Sequence, residues 1–181
     1  FQPQFEAAFL AGLRRKLGLT TQHESDPKLI AGLFDRMAAN HADFTLTFRR
    51  LCTAASQSEC AAAPQADSTS GPDSTPRSLF DDPASFDAWA AQWRLRLARD
   101  HLPAAERAAA MRLANPAFIP RNHRVEAAIV AAVTCDDLQP FHELLDVVTH
   151  PFDDRPDRPG LARYTTPASP EERVTQTFCG T

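Results

Sequence analysis

The densest group of reactive side chains in the 181-residue sequence is Arg121-Asn122-His123, with Glu126 three residues beyond the histidine. On a helix, a His and a Glu at this spacing share a face and could hold a metal ion or share a proton. Zinc needs three or four ligands, and no second His-rich group lies nearby in sequence. A structural role therefore competes: Asn122 caps a helix, Glu126 closes a capping box, and Arg121 pairs with an acidic group. The second candidate is Cys179, in Thr177-Phe178-Cys179-Gly180-Thr181. A thiol on a terminal segment is accessible to exchange or oxidation, but no base or resolving partner is visible beside it. Cys52 falls on an apolar helix face and reads as a small hydrophobe, while Cys60 and Cys135 carry no signature. Glycine-rich phosphate loops, nucleophile elbows, zinc-helix motifs and EF-hand loops are all missing. The residues taken alone thus point to no catalytic residue, cofactor-binding residue or metal ligand.

The elements that must position these groups are helices. Phe1, Phe5, Phe9, Leu13 and Leu17, with Leu10 alongside, form one apolar face that Gly18 ends. Asp26-Pro27 reads as a cap with proline at the first helical position, followed by the stripe Leu29, Ile30, Leu33, Phe34, Met37 and an end near Asn40. Asp43 caps a third helix with Phe44, Phe48, Leu51 and Cys52 turned inward. Asp82 or Ser85 starts a fourth, with Phe86, Trp89, Ala90, Trp93 and Leu97 on one side. Pro103 opens an Ala-rich fifth helix to about Leu113. Pro116 and Pro120 forbid a continuous helix between Asn115 and His123. A sixth helix then buries Val125, Ala128, Ile129, Ala132 and Val133, and a seventh Phe141, Leu144, Leu145 and Val148.

The expected organisation is a helical cluster over 1–55, a flexible low-complexity insertion over 56–80, a helical cluster over 81–150 continuing the same domain, and a Pro-rich tail over 151–181. Val and Ile together number nine, too few for sheet, so the fold class is all-α. Nineteen basic residues interspersed with 23 acidic ones, net charge −4, argue against a nucleic-acid partner. No stretch approaches the roughly 20 apolar residues that span a bilayer, so no membrane partner is expected. Four Cys without CxxC or zinc spacing suggest a reducing, cytoplasmic setting.

Several segments together carry a resemblance. Arg15-Lys16-Leu17-Gly18-Leu19, then Ala42-Asp43-Phe44-Thr45 with Phe48-Arg49-Arg50-Leu51, then Asn115-Pro116 with Arg121-Asn122-His123 and Glu126-Ala127-Ala128-Ile129, and finally Phe178-Cys179, occur in one order. That set resembles the C-terminal third of the selenoprotein O family, also called the YdiU or UPF0061 family.

The resemblance implies the helical C-terminal region of a protein-kinase-like fold. It implies a pseudokinase that uses ATP with Mg2+ or Mn2+ to transfer AMP to Ser, Thr or Tyr hydroxyls of protein substrates, work done by orientation and electrostatics. The family's phosphate loop, Lys–Glu pair and metal-binding Asn and Asp have no match here. With Phe1 in place of an initiator Met, the expectation is a C-terminal piece whose active site lies in an N-terminal kinase-like region. The 181 residues alone are then expected to be inactive and to bind neither ATP nor metal. One functional position does carry over: the family keeps a redox Cys or selenocysteine third from its end, which matches Cys179. Here Gly180-Thr181 follow in place of paired serines, and the thiol's partner would be a Cys outside this sequence or one of Cys52, Cys60 and Cys135. Asn115, Arg121, Asn122, His123 and Glu126 are family-motif residues with a structural role expected. The alternative is a stand-alone helical protein-interaction module without catalysis.

Overall fold

The computed structural model describes residues 2–56 and 75–174. All regular structure among them is helical: α1 (Gln2–Lys16), α2 (Asp26–Ala39), α3 (Phe44–Ser56), α4 (Pro83–Leu97), α5 (Ala104–Ala114), α6 (Asn122–Cys135) and α7 (Gln139–Thr149), with 3-10 turns at Pro76–Leu79 and Pro159–Tyr164. The chain divides into two compact units, Phe1–Asn115 and Pro116–Thr181.

In the first unit the core is made by Leu13, Leu17, Ile30, Leu33, Phe48, Leu51, Trp89, Trp93 and Met111 with their neighbours. Both tryptophans are buried, their rings stack at 5.7 Å, and each indole N–H finds a carbonyl: Trp89 Nε1 donates to Leu29 O at 2.8 Å and Trp93 Nε1 to Leu17 O at 3.0 Å. A buried indole keeps its hydrophobic contribution only if its N–H is paired, so these two bonds fix the depth of α4 in the core. Gly18 ends α1 with φ +72°, and a Cβ there would sit 2.6 Å from Met111 Sδ. Glycine is thus required both by backbone conformation and by the approach of α5. The Asp82 side chain accepts from Ala84 N and caps α4. Phe80, just past the 3-10 turn, is buried and its ring lies 4.9 Å from that of Phe86.

Asp26 departs from a simple cap. Ser25 is the N-cap and Asp26 opens α2, fully buried, with Arg14 Nε and Arg96 Nε each 2.8 Å from its carboxylate oxygens. Arg96 also reaches Asp100 at 3.0 Å, and Asp100 accepts from Thr20 N at 2.7 Å and from the Thr21 hydroxyl. Burial raises the pKa of both carboxyls, but these hydrogen bonds outweigh it and hold both below the usual carboxylate range.

The second unit has a smaller core of Ala117, Phe118, Leu144, Val147, Leu161 and Tyr164. The amides of Ala117 and Phe118 both donate to Pro151 O, at 2.7 and 3.2 Å, which ties the segment before α6 to the end of α7. Asp136, left-handed at φ 53°, ends α6 and sends the chain back into α7. Pro159–Tyr164 forms a 3-10 turn that buries Leu161 and Tyr164.

Several faces expected to be inward are open. Leu13 and Leu17 are buried, but Phe5 and Phe9 are 60% and 50% exposed. Phe44 is exposed beside buried Phe48, as are Ile129 and Val133 of α6 and Phe141 and Leu145 of α7. Periodicity shows that a face is apolar; what covers it is a tertiary matter.

Candidate functional site

The family-motif residues singled out from sequence fall in two places, one in each unit. In the first, three separated segments meet at the C-terminal end of α5. Asn115 is fully buried; its Nδ2 donates to Lys16 O at 2.8 Å and its Oδ1 accepts from Lys16 Nζ at 3.3 Å. Lys16 Nζ also donates to Ala114 O at 3.0 Å, and Arg49 Nη1 donates to Arg112 O at 3.0 Å and Asn115 O at 2.6 Å. Two cations therefore take the orphan carbonyls at a helix C-terminus, where the macrodipole is negative. Pro116 follows and stops the helix. Burial pushes the Lys16 pKa down, with the neighbouring Cys52 thiol acting in the opposite direction. Cys52 is buried, its thiol donating to Phe48 O at 3.3 Å while Asn115 Nδ2 lies 3.5 Å from the sulfur. This arrangement is a clamp that holds α1, α3 and α5 together.

Beside the clamp, between α1 and α5, runs a groove of about 580 Å³ lined by Gly12, Arg15, Lys16, Ala110, Leu113 and neighbours. Arg107 forms part of its wall, yet its guanidinium is buried and donates to the carbonyls of Gly18, Leu97, Asp100 and Leu102. Arg107 is a backbone brace there.

The second place is the start of α6. The capping box does not form: Arg121 is the N-cap, without a side-chain cap bond, and Asn122 is the first helical residue. Glu126 then lies four positions inside the helix from Asn122, exposed, where it cannot close back on a cap. His123 is buried, and its Nε2 has no hydrogen-bond partner among the described residues. Burial, assisted by Arg124 and Arg121 against Glu172, lowers its pKa from the ordinary 6.5 and favours neutral imidazole. His123 and Glu126 do not converge, since one is buried and the other exposed. Among the described residues no group of three or more His, Cys, Asp or Glu is placed to hold a metal. Arg124, unremarked in the sequence, lies 3.6 Å from Glu172 and donates to Arg163 O.

Cys135 is exposed at the end of α6. Cys60 and Cys179 lie outside the described residues, so the redox candidate has no geometry here. Sequence reasoning missed the buried Asp26–Arg14–Arg96–Asp100 network. Its only signal was Arg96 one position before Leu97 on the buried side of α4.

No helix among the described residues is long and apolar enough to cross a membrane. The helical architecture and clamp do not by themselves name an activity; the comparisons place the chain. The family model described as Protein adenylyltransferase SelO matches residues 1–149, and the chain belongs to that family. It is 56% identical over all 181 residues to a protein nucleotidyltransferase, YdiU, of Bradyrhizobium sp. strain ORS 278. It is 51% identical over the same length to proteins of that name from Rhodopseudomonas palustris strain BisB5 and Methylorubrum populi. In each case the match covers all of this chain and 34% of the relative, so the chain spans about a third of the length of these relatives.

Proposed function

We propose that these residues are the helical C-terminal part of a protein adenylyltransferase, which transfers AMP from ATP to Ser, Thr or Tyr hydroxyls of other proteins with Mg2+ or Mn2+. The observation that carries this reading is the match to Protein adenylyltransferase SelO across residues 1–149, supported by relatives named protein nucleotidyltransferases. The described residues do not fit the nucleotide and metal themselves. They offer no three-ligand metal group, and Lys16, Arg49 and Arg107 are committed to backbone carbonyls. The proposal assigns ATP and metal to a kinase-like region outside these 181 residues, to which this chain supplies scaffold. Cys179 is the residue proposed for redox control.

The test is AMP transfer by two preparations, the 181-residue protein and the longer gene product. The longer product is expected to label protein hydroxyls with AMP, and the 181-residue protein to show no saturable micromolar binding of Mg-ATP. No transfer by the longer product, or saturable ATP binding by the 181 residues, would overturn the reading.

A further inference from the structure

We infer that the α1–α5 groove of the first unit is an intramolecular docking seam, filled by a helix from the part of the polypeptide outside these 181 residues. The inference rests on the reading above, that the chain is part of a longer protein.

Phe5, Phe9, Gly12 and Lys16 follow one another at intervals of four, three and four, the spacing of a helix–helix seam. The first two are 60% and 50% exposed, with their rings parallel within 11° and 6.0 Å apart. Gly12 is in the helix interior, where glycine is a poor helix former. A Cβ placed on it meets nothing within 4 Å, so no neighbour in the described fold requires its absence. Such a glycine is accounted for when another backbone comes close. Across the groove, α5 presents Ala110 and Leu113, the latter 75% exposed. At the inner end, Lys16 is held by Ala114 O, Asn115 Oδ1 and the Phe48 ring, while the exposed Arg15 beside it lines the groove. The occupant is thus an amphipathic helix with small residues over Gly12, apolar contacts for Phe5, Phe9 and Leu113, and an Asp or Glu toward Arg15.

The same polypeptide is favoured over a second copy by size. From Phe5 to Lys16 the seam is about 17 Å long at 1.5 Å per residue, too small for the roughly 800 Å² per partner of a stable dimer. A tethered segment needs no such area, because it does not lose translational freedom on docking. About two thirds of each matched relative lies outside the aligned region, which supplies ample chain to provide the helix.

Hydroxyl-radical footprinting of the 181-residue protein and of the longer gene product tests the seam directly. Phe5, Phe9 and Leu113 are expected to label at least fivefold less in the longer product. Gly12→Leu is expected to raise the melting temperature of the 181-residue protein, where it gains helix propensity in open space, and to lower that of the longer product, where it fills the docking site. Equal labelling in both, or stabilisation of both by Gly12→Leu, overturns the inference. So does seam protection in the 181-residue protein that grows with its own concentration, which means a second copy, or a gene that encodes no more than these residues. Protection without AMP transfer sinks the functional reading alone, and AMP transfer without protection sinks the seam alone.

Discussion

The two units solve opposite problems. Phe1–Asn115 encloses charge within a broad core: Asp26, Arg96, Asp100 and Arg107 are all at most 5% exposed, and each is bonded within the unit. Pro116–Thr181 has a core of six buried residues among those described and leaves Ile129, Val133, Leu138, Phe141 and Leu145 exposed. Its Arg163, which bonds Glu143, is about half exposed, whereas the Asp26–Arg96 pair of the first unit is enclosed on both sides. A small unit has a high ratio of surface to volume and cannot cover its own hydrocarbon. A larger one can enclose an ion pair if every lone pair and proton has a partner. The first unit should therefore respond sharply to loss of a single charge, and the second to changes in solvent.

The largest contrast is between two charge deletions. Asp26→Ala strands Arg14 and Arg96 without their shared carboxylate and is expected to destabilise the first unit by about 3–5 kcal/mol. Arg163→Ala, which removes a half-exposed pair in the second unit, should cost about 0–1 kcal/mol. Chemical denaturation of the 181-residue protein followed by tryptophan fluorescence reads the first, since both tryptophans lie in that unit. Hydrogen exchange in α6 and α7 reads the second. Comparable losses would erase the distinction.

A smaller effect separates the units by pH. The folded-state pKa values of Asp26 and Asp100 lie below the ordinary 3.8. Their stabilisation is present above about pH 4 and is lost as pH falls through the folded values. The His123 pKa also lies below its ordinary 6.5, so the unfolded chain takes up a proton first and the second unit weakens as pH drops below that value. Exchange protection, corrected for intrinsic rates, should fall in α6 and α7 between pH 7 and 5 while α2 and α4 are unchanged. His123→Phe should flatten that fall. A simultaneous loss in both units, or a fall that persists in His123→Phe, would contradict the assignment.

Much of the fold is legible in the sequence. Six of the seven helices follow from apolar periodicity and α5 from its alanine content, with Gly18, Asn40, Pro103 and Pro116 at or near their ends. Placing the open faces is beyond periodicity, because Phe5 and Leu13 sit on the same stripe and only the packed structure separates them. The buried charges are illegible for a related reason. An Arg inside a helical pattern reads as solvent-exposed unless its partners are known, and those of Arg96 include Asp26, seventy residues away. The candidate site was half legible. Lys16, Arg49 and Asn115 stand in the segments that carry the family resemblance, but their convergence on the last turn of α5 is a fact of three dimensions.

That convergence is the central claim: the family residues in the first unit hold helices together, and the proposed function assigns nucleotide binding to another region. Calorimetric titration of Mg-ATP into the longer gene product and its Asn115→Ala variant, at a temperature where both are folded, tests it most directly. Removing Asn115 should lower stability by about 1–3 kcal/mol by removing two hydrogen bonds to Lys16, while the ATP dissociation constant stays within twofold. A tenfold or greater loss of ATP affinity with unchanged stability would contradict the account.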